Sequence, residues 1–510
     1  MINKYPLLFK LYSYINNHVK SLTSIMKIYK LFFSLALSFL LFYIIFVAFY
    51  FDLGFEDNSL WHYIGWSWSE FNDPLLKKFA DNKPFGIYFV YYFSSLIFGI
   101  NFYPIILLCL LIKLISGYII YVILTKLIKD KYFSLSGLMF FYSLSSWTIL
   151  DAGADPFTEV FVNFFLILSI YSILNFKKKF LFVYLTILFL FFAFIFKQTI
   201  VFAAPAFLFL IYIRYKENFY EKILKIIFFS LFISFIYFLA LNEFGISYEK
   251  IFKQTFFPLN YTSDTVMSLT ARINNFIYQW SDKYKVIGIL VGIFIMYSVY
   301  FKKTNEEVFL FMIFFLILIG VHFTGITNGH QMTQIIPLLC ILLPIIIFNL
   351  SKNFNLDYKQ SLLGLLFFLF VLFPDINFSN IKKSIKEFKT DKSIFAIKEI
   401  KTFLDDNYKN EVPIHQHFRN SGVILNLERQ AASRFISTTF LYGGYGHGEE
   451  IEKNIKILNN DLNTKKKHLI IALENYDQEP PYRYPNFLKD RLDNYTFIKK
   501  FNKYLLYESN

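Results

Sequence analysis

Residues 56–86 read EDNSLWHYIGWSWSEFNDPLLKKFADNKPFG and form the first long polar interval after an apolar run of membrane length. The stretch holds three of the chain's five tryptophans, acids towards both ends and a Lys83-Pro84 pair. An indole has an apolar body and a polar N–H, so tryptophans at this density are typical of a helix at a bilayer surface. The acids are then either part of a solvated loop or a reaction centre held against the lipid.

The bulk composition sets the class of protein. The 510 residues are 56% hydrophobic, and apolar runs of roughly 17–25 residues recur along the chain. This pattern excludes a soluble globular class and predicts an all-α polytopic membrane protein. The net charge of +14 is spread over loops and the tail, which suits anionic lipid better than nucleic acid. Cys109 and Cys340 both lie in apolar runs, which excludes a disulfide framework and a cysteine-based zinc site.

The charges between the apolar runs predict the topology. Residues 1–30 carry lysines and no acid, so we expect a cytoplasmic N-terminus, an uncleaved first span at 31–51 and a first external loop at 52–85. The later basic clusters can all be cytoplasmic only if one segment between 86 and 125 does not cross. We therefore predict about eleven spans, with 86–100 re-entrant or juxtamembrane. The further apolar segments are 86–100, 103–125, 132–149, 157–175, 180–196, 198–213, 223–241, 285–301, 308–325, 333–349 and 361–374.

The chain changes character after the transmembrane domain, which we assign to residues 31–375. Apolar runs shorten in 376–510, charges become denser and alternation appears. These patterns predict a small extracytoplasmic α/β domain. Its expected helices are 392–405 and 448–460, and its expected strands are 411–415, 468–473 and 496–507. In this topology the polar clusters between the spans also converge on the external face, as the groups of an active site would.

Two features carry chemistry on physical grounds alone. Glu56 and Asp57 lie just beyond the first span, where burial raises the pKa of a carboxylate and lets it act as a base; the alternative is ordinary loop acids. Lys197 lies between two apolar runs, and a lysine near membrane depth is costly and usually has a partner or a role. Its alternative is a turn lysine that reaches towards the membrane surface.

Further polar groups admit two readings each. Asp151, Asp155 and Glu159 are either a second acidic site or the start of a helix at Asp155-Pro156, with Glu159 in its first turn. His62, His322 and His330 could bind a metal together with nearby acids; alternatively, His330 hydrogen-bonds the donor, the acceptor or a local loop carbonyl. No HExxH or comparable spacing occurs, so we assign no metal ligand and leave a divalent metal as the alternative.

Several short motifs resemble the protein-mannosyltransferase/ArnT-like family of GT-C glycosyltransferases. The resemblance begins with Asp57 ahead of the His62–Trp66 helix and with Asp81-Asn82-Lys83-Pro84-x-Gly86, where Phe85 replaces a second proline. Four more elements follow in the family's order. They are Asp151-x-Gly153-x-Asp155-x-x-Thr158-Glu159, Phe196-Lys197-Gln198-Thr199, Gly329-His330-x-x-x-Gln334-x-x-Pro337 and Arg429-x-x-Ala432-Ser433-Arg434-Phe435.

The resemblance implies a GT-C fold and a glycosyltransferase at the external face of the cytoplasmic membrane. Its donor is a sugar on a polyprenyl phosphate, and its acceptor is a hydroxyl on a glycan, lipid or protein. The implied base is Asp57, with Glu56 as the runner-up, and Lys83 and Lys197 are the implied phosphate binders. Other implied substrate-binding residues are His62, Asp81, Asp151, Asp155, Glu159, Gln198, His330 and Arg434.

Two other functions fit the composition. An O-antigen polymerase or ligase also handles lipid-linked glycans, but the tail domain and the motif after the first span disfavour it. A transporter or flippase for lipid-linked sugars predicts intramembrane charges around a central cavity and internal repeats. The distinctive polar groups instead cluster at one face, and no repeat is evident.

Overall fold

The computed structural model describes most of the chain, although the predicted first span (31–51) and the last apolar segment (361–374) lie largely outside the described residues. Isolated positions apart, the described residues are 56–72, 84–152, 158–175, 180–249, 285–301, 303–322, 329–358, 360–362, 392–409, 411–418, 422–436, 448–465, 467–474 and 494–510.

The N-terminal part is a helical bundle, as the apolar runs predict. Short 3-10 turns at Gln198–Ala203, Lys216–Asn218 and Thr333–Ile335 precede three of its helices. In chain order the helices are α1 (Glu56–Phe71), α2 (Gly86–Phe98), α3 (Tyr103–Ile128), α4 (Lys131–Ala152), α5 (Thr158–Asn175), α6 (Leu181–Phe196), α7 (Ala204–Arg214), α8 (Phe219–Glu243), α9 (Lys285–Tyr300), α10 (Asn305–His322), α11 (Gly329–Met332) and α12 (Ile336–Asn353).

Local sequence signals set many of the helix ends. Pro104 and Pro337 occupy first-turn positions of α3 and α12, where the missing proline N–H costs nothing. Asp130 begins α4 by accepting the backbone N–H groups of Tyr132 and Phe133 at 2.9 and 3.1 Å. Gly99 ends α2 with φ at 62°, a conformation that costs glycine little.

Five helices in the described part of the chain are long and apolar enough to cross a membrane. The outer face of α8 is an example: Phe228, Leu231 and Phe235 are exposed side by side, as expected of a surface that lipid covers. The total of about eleven spans stays a prediction. The five are Tyr103–Ile128, Thr158–Asn175, Lys216–Glu243, Asn305–His322 and Thr333–Asn353.

The segment predicted to be re-entrant or juxtamembrane is α2. Its 13 residues span about 20 Å, which is short of the roughly 30 Å hydrocarbon core of a bilayer. α2 packs closely on α1 where Gly65 meets Tyr91: a Cβ on Gly65 would lie 2.6 Å from the Tyr91 Cβ. The small residue therefore lets the two backbones touch.

α1 differs from the helix that we expected at the bilayer surface. Every residue from Asn58 to Trp68 is buried in protein, and Trp61, Trp66 and Trp68 are only 1%, 5% and 3% exposed. Trp68 packs on Tyr92 of α2, with ring centroids 4.3 Å apart. The tryptophans therefore fix α1 inside the protein instead of anchoring it in lipid.

The C-terminal region forms the predicted small α/β unit. Its sheet has the order β1-β2-β4-β3, with β1 parallel to β2 and the other neighbours antiparallel. The prediction of one strand at 496–507 is wrong, because residues around Asn502 (φ 53°) turn the chain into a β3–β4 hairpin. The elements are α13 (Lys392–Asn407), β1 (Ile414–His417), α14 (Gly422–Leu427), α15 (Gly448–Asn463), β2 (Leu469–Leu473), β3 (Tyr495–Phe501) and β4 (Tyr504–Ser509).

Candidate functional site

An ion pair joins the beginning of α5 to the end of α6. Glu159 lies in the first turn of α5, and the chain leaves α6 at Lys197, whose backbone is extended. The Lys197 ammonium donates to Glu159 Oε1, and Thr158 Oγ1 donates to Glu159 Oε2 at 2.8 Å. Two residues that the sequence analysis singled out separately therefore act as one unit.

The surroundings of the pair make it a strong interaction. The Glu159 side chain is 3% exposed and that of Lys197 is 14% exposed, so the lysine is the more accessible partner. Phe161 and Phe196, close to the pair in sequence, stack with ring centroids 4.8 Å apart and planes at 9°. Such burial withdraws the Glu159 carboxylate from water, and the ammonium of Lys197 offsets part of that cost.

Other segments of the bundle meet at the same place. A Cβ on Gly86, the first residue of α2, would lie 2.6 Å from the carbonyl oxygen of Ile195, so α2 begins against the last turn of α6. A Cβ on Gly320 of α10 would lie 3.2 Å from the Thr199 carbonyl oxygen. The end of α6 and the 3-10 turn that follows it thus form a meeting point, with α2 against α6 and α10 against the turn.

Hydrogen bonds fix this meeting point to the start of α12. The Thr199 hydroxyl donates to Gln334 Oε1 at 2.6 Å, and the Asn163 amide of α5 donates to the Thr333 carbonyl at 2.9 Å. Thr199 and Gln334 belong to motifs quoted above, but the sequence analysis gave neither a role. In the sequence each is a polar residue between apolar runs, and this pattern fits a structural hydrogen bond between helices as well as it fits contact with a ligand.

His62 occupies a second buried position, on the face of α1 that meets α2. Its ring lies between Tyr91 and Phe102, with centroids 5.4 and 5.0 Å away, and it is 1% exposed. Within the described part of the chain, neither its ring nitrogens nor the amide of Asn58 one turn earlier has a hydrogen-bond partner. Burial lowers the pKa of His62 to about 3, so the imidazole is neutral at physiological pH.

Arg434 lies in the C-terminal unit and is occupied there. Its guanidinium makes two bonds of 2.8 Å to the Asp461 carboxylate, and these bonds raise the pKa of Arg434. The backbone N–H of Arg434 donates to the same carboxylate at 3.1 Å. Contact between Arg434 and a substrate stays a prediction.

The remaining predicted residues are described in part or not at all. Glu56 and Asp57 form the first turn of α1, Asp151 lies at the end of α4, Gln198 opens the 3-10 turn, and His330 belongs to α11. The side chains of Glu56, Asp57, Asp151 and His330 lie outside the described residues. So do Asp81, Lys83 and Asp155 as a whole.

The sequence analysis also missed a lysine at membrane depth. Lys113 of α3 is buried, and its ammonium donates to the Ser145 carbonyl of α4 at 3.1 Å. One lysine inside a long apolar run was its only sequence signal. Among the described residues, no group of three histidine, cysteine, aspartate or glutamate side chains is arranged to hold a metal ion.

Comparison with known proteins places the fold. The chain is similar to the crystal structure of ArnT from Cupriavidus metallidurans bound to undecaprenyl phosphate, with a TM-score of 0.56 and 9% sequence identity. The match covers 93% of this chain and 98% of that chain. No protein-family model and no curated protein matches the sequence. At 9% identity the likeness concerns the fold, and this chain is a multi-pass membrane protein with an ArnT-like, GT-C architecture.

Proposed function

We propose that this protein is a glycosyltransferase that takes a sugar from a polyprenyl-phosphate donor at the external face of the cytoplasmic membrane. The acceptor is a hydroxyl group on a glycan, a lipid or a protein. The observation that carries the proposal is the Glu159–Lys197 pair at the junction of α2, α5 and α6, in a fold similar to that of a protein solved with undecaprenyl phosphate.

The reaction needs a base and a cationic site. The acceptor oxygen attacks the anomeric carbon, the bond from that carbon to the phosphate oxygen breaks, and polyprenyl phosphate leaves. The acceptor's proton passes to a carboxylate, which we assign to Asp57 with Glu56 as the alternative. Lys197, and Lys83 just ahead of α2, stabilise the charge that develops on the leaving phosphate.

The buried carboxylate of Glu159 has a separate role in this scheme. A lysine near the membrane would otherwise adopt many rotamers, whereas the bond to Glu159 fixes its ammonium at the end of α6. His62, Asp81, Asp151, Asp155, Gln198, His330 and Arg434 remain the predicted contacts to the sugar and the acceptor.

The test is sugar transfer by the protein purified in lipid nanodiscs. Labelled sugars on polyprenyl phosphate are supplied as a panel, with membrane extract as the source of acceptor. We expect wild type to transfer at least one sugar and either Asp57→Asn or Glu56→Gln to lose transfer by more than a hundredfold. Glu70→Gln, an exposed acid near the other end of α1, is the matched control. Full transfer by both Asp57→Asn and Glu56→Gln would remove the proposed mechanism.

A further inference from the structure

α1 contacts α2 of the membrane bundle on one side and the C-terminal unit on the opposite side. Gly65 and Trp68 face α2, whereas the Tyr63 hydroxyl donates to the Arg429 carbonyl of the C-terminal unit at 2.8 Å. Positions 63 and 65 lie about 200° apart on a helix, so these contacts hold opposite faces. The helix that carries the predicted base is therefore held between two parts of the protein.

The short helix α14 connects those two parts. Val423 and Leu427, one turn apart, belong to the apolar core of the C-terminal unit. Ile424 and Leu425 on its other side belong to the apolar cluster of the bundle, and α14 packs on α1. α14 is therefore a direct structural link between the C-terminal unit and α1.

Arg429 fixes the carbonyl that Tyr63 contacts. Its side chain is 2% exposed and donates to the Lys409 carbonyl at 2.6 Å and to Asp405 Oδ1 at 2.7 Å, at the end of α13. The chain just after Arg429 is tied to β1, because Ile414 donates to the Gln430 carbonyl at 2.9 Å. A buried guanidinium with these partners leaves the Arg429 backbone little freedom.

We infer that the C-terminal domain positions α1 for sugar transfer, and that Arg429 is the positioning residue through which it does so. Arg429 does not touch the reacting atoms; it acts through its own carbonyl and Tyr63. The inference rests on the proposed function, because α1 matters to transfer only if it carries the base. Among the described residues, the buried polar atoms of Asn58 and His62 have no hydrogen-bond partner, and their burial opposes the packing of α1 on the bundle. The contact on the outer side of α1 is therefore the more important for holding the helix in place.

The first test removes one hydroxyl. Tyr63→Phe leaves the ring in place and should increase amide hydrogen exchange within residues 56–71 of the full-length protein. It should lower kcat about tenfold while binding of polyprenyl phosphate changes less than twofold. Tyr142→Phe is the matched control, because its hydroxyl also donates to a backbone carbonyl, that of Leu114 at 3.0 Å, within the bundle. The control should leave exchange in 56–71 and kcat unchanged.

The second test asks whether both residues act through one contact. Arg429→Gln should reproduce the exchange and kcat effects, and Arg429→Lys should lose less, because it keeps the charge beside Asp405. The double variant Tyr63→Phe/Arg429→Gln should fall no further than the worse single variant. Lys401→Met removes an exposed lysine of the same domain, paired with Glu428, and should have no effect.

Each outcome decides the inference. Unchanged exchange in residues 56–71 of Tyr63→Phe would overturn it, and so would multiplicative losses of kcat in the double variant. An equal loss of kcat in Tyr142→Phe would show that general destabilisation is the cause. Amide hydrogen exchange can be measured without enzymatic activity. If the wild-type protein transfers no sugar, the proposed function is refuted, but the exchange in residues 56–71 still tests whether Tyr63 and Arg429 hold α1.

Discussion

The contribution of Lys197 to folding and its proposed role in transfer can be separated by changing its charge together with that of Glu159. Lys197→Met deprives the 3% exposed Glu159 carboxylate of its cation. Breaking a buried ion pair on one side costs about 3–5 kcal/mol of unfolding free energy. Because Lys197 keeps 14% of its side-chain surface exposed, we expect a value at the lower end, about 3 kcal/mol.

The double variant Lys197→Met/Glu159→Gln removes both charges and should recover most of that loss. A neutral pair of similar volume needs no compensating charge, so its stability should lie within about 1 kcal/mol of wild type. Transfer should not recover, because the cation that we propose to stabilise the leaving phosphate is still missing. By analogy with loss of one group that stabilises a developing negative charge, we expect kcat to fall about 10²–10³-fold.

The measurements are denaturant titration in micelles and transfer from the labelled donor. The control pair is Arg214 and Glu306, joined at 3.1 Å with side chains 13% and 27% exposed. Arg214→Met/Glu306→Gln should leave kcat within about twofold of wild type. If transfer by the Lys197/Glu159 double variant recovers together with stability, then Lys197 serves folding only and the reasoning about the phosphate is wrong.

Three further predictions follow from individual contacts. His62 has a pKa of about 3 in the folded protein and 6.5 in the unfolded chain, so the unfolded chain takes up the proton first as pH falls. The free energy of unfolding should therefore decrease below pH 6.5, by at most about 1.4 kcal/mol per pH unit. His62→Phe should make this decrease smaller in denaturant titrations at pH 6.5 and pH 5. Gly65→Ala should lower the free energy of unfolding by about 1–3 kcal/mol, because its Cβ would lie 2.6 Å from that of Tyr91, whereas Gly292→Ala meets open space and should be neutral or stabilising. A cysteine at Asn101 should react with a membrane-impermeant thiol reagent from the external side only, and cytoplasmic labelling would show that residues 86–100 cross.

The helices were largely predictable because each depends on its own stretch of chain. Apolar runs at 103–125 and 157–175 became helices Tyr103–Ile128 and Thr158–Asn175, since a span must satisfy its backbone internally. The strand predicted at 496–507 failed for a local reason. Alternation continues on both sides of Asn502, so the pattern does not reveal where the chain reverses.

Contacts between distant residues were the less predictable part of the site. Glu159 was singled out as part of an acidic cluster and Lys197 as a lysine near membrane depth, but their pairing across 38 positions depends on how α5 and α6 pack. For the tryptophans of α1, a lipid environment was predicted where the structure shows contact with protein. An aromatic face that meets lipid and one that meets protein have the same sequence signature, and only the presence of a partner distinguishes them.

The contact between Tyr63 and Arg429 also sets an order of assembly. The two residues are 366 positions apart, so at about 5–20 residues per second the ribosome supplies the second roughly 20–70 s after the first. Through that interval the face of α1 that contacts α14, and the Tyr63 hydroxyl, lack this partner. A chain that stops before residue 422 never covers this surface. An apolar helix face left without its partner is the kind of surface that chaperones and quality-control proteases recognise, so we expect such truncated chains to be degraded faster than the full chain.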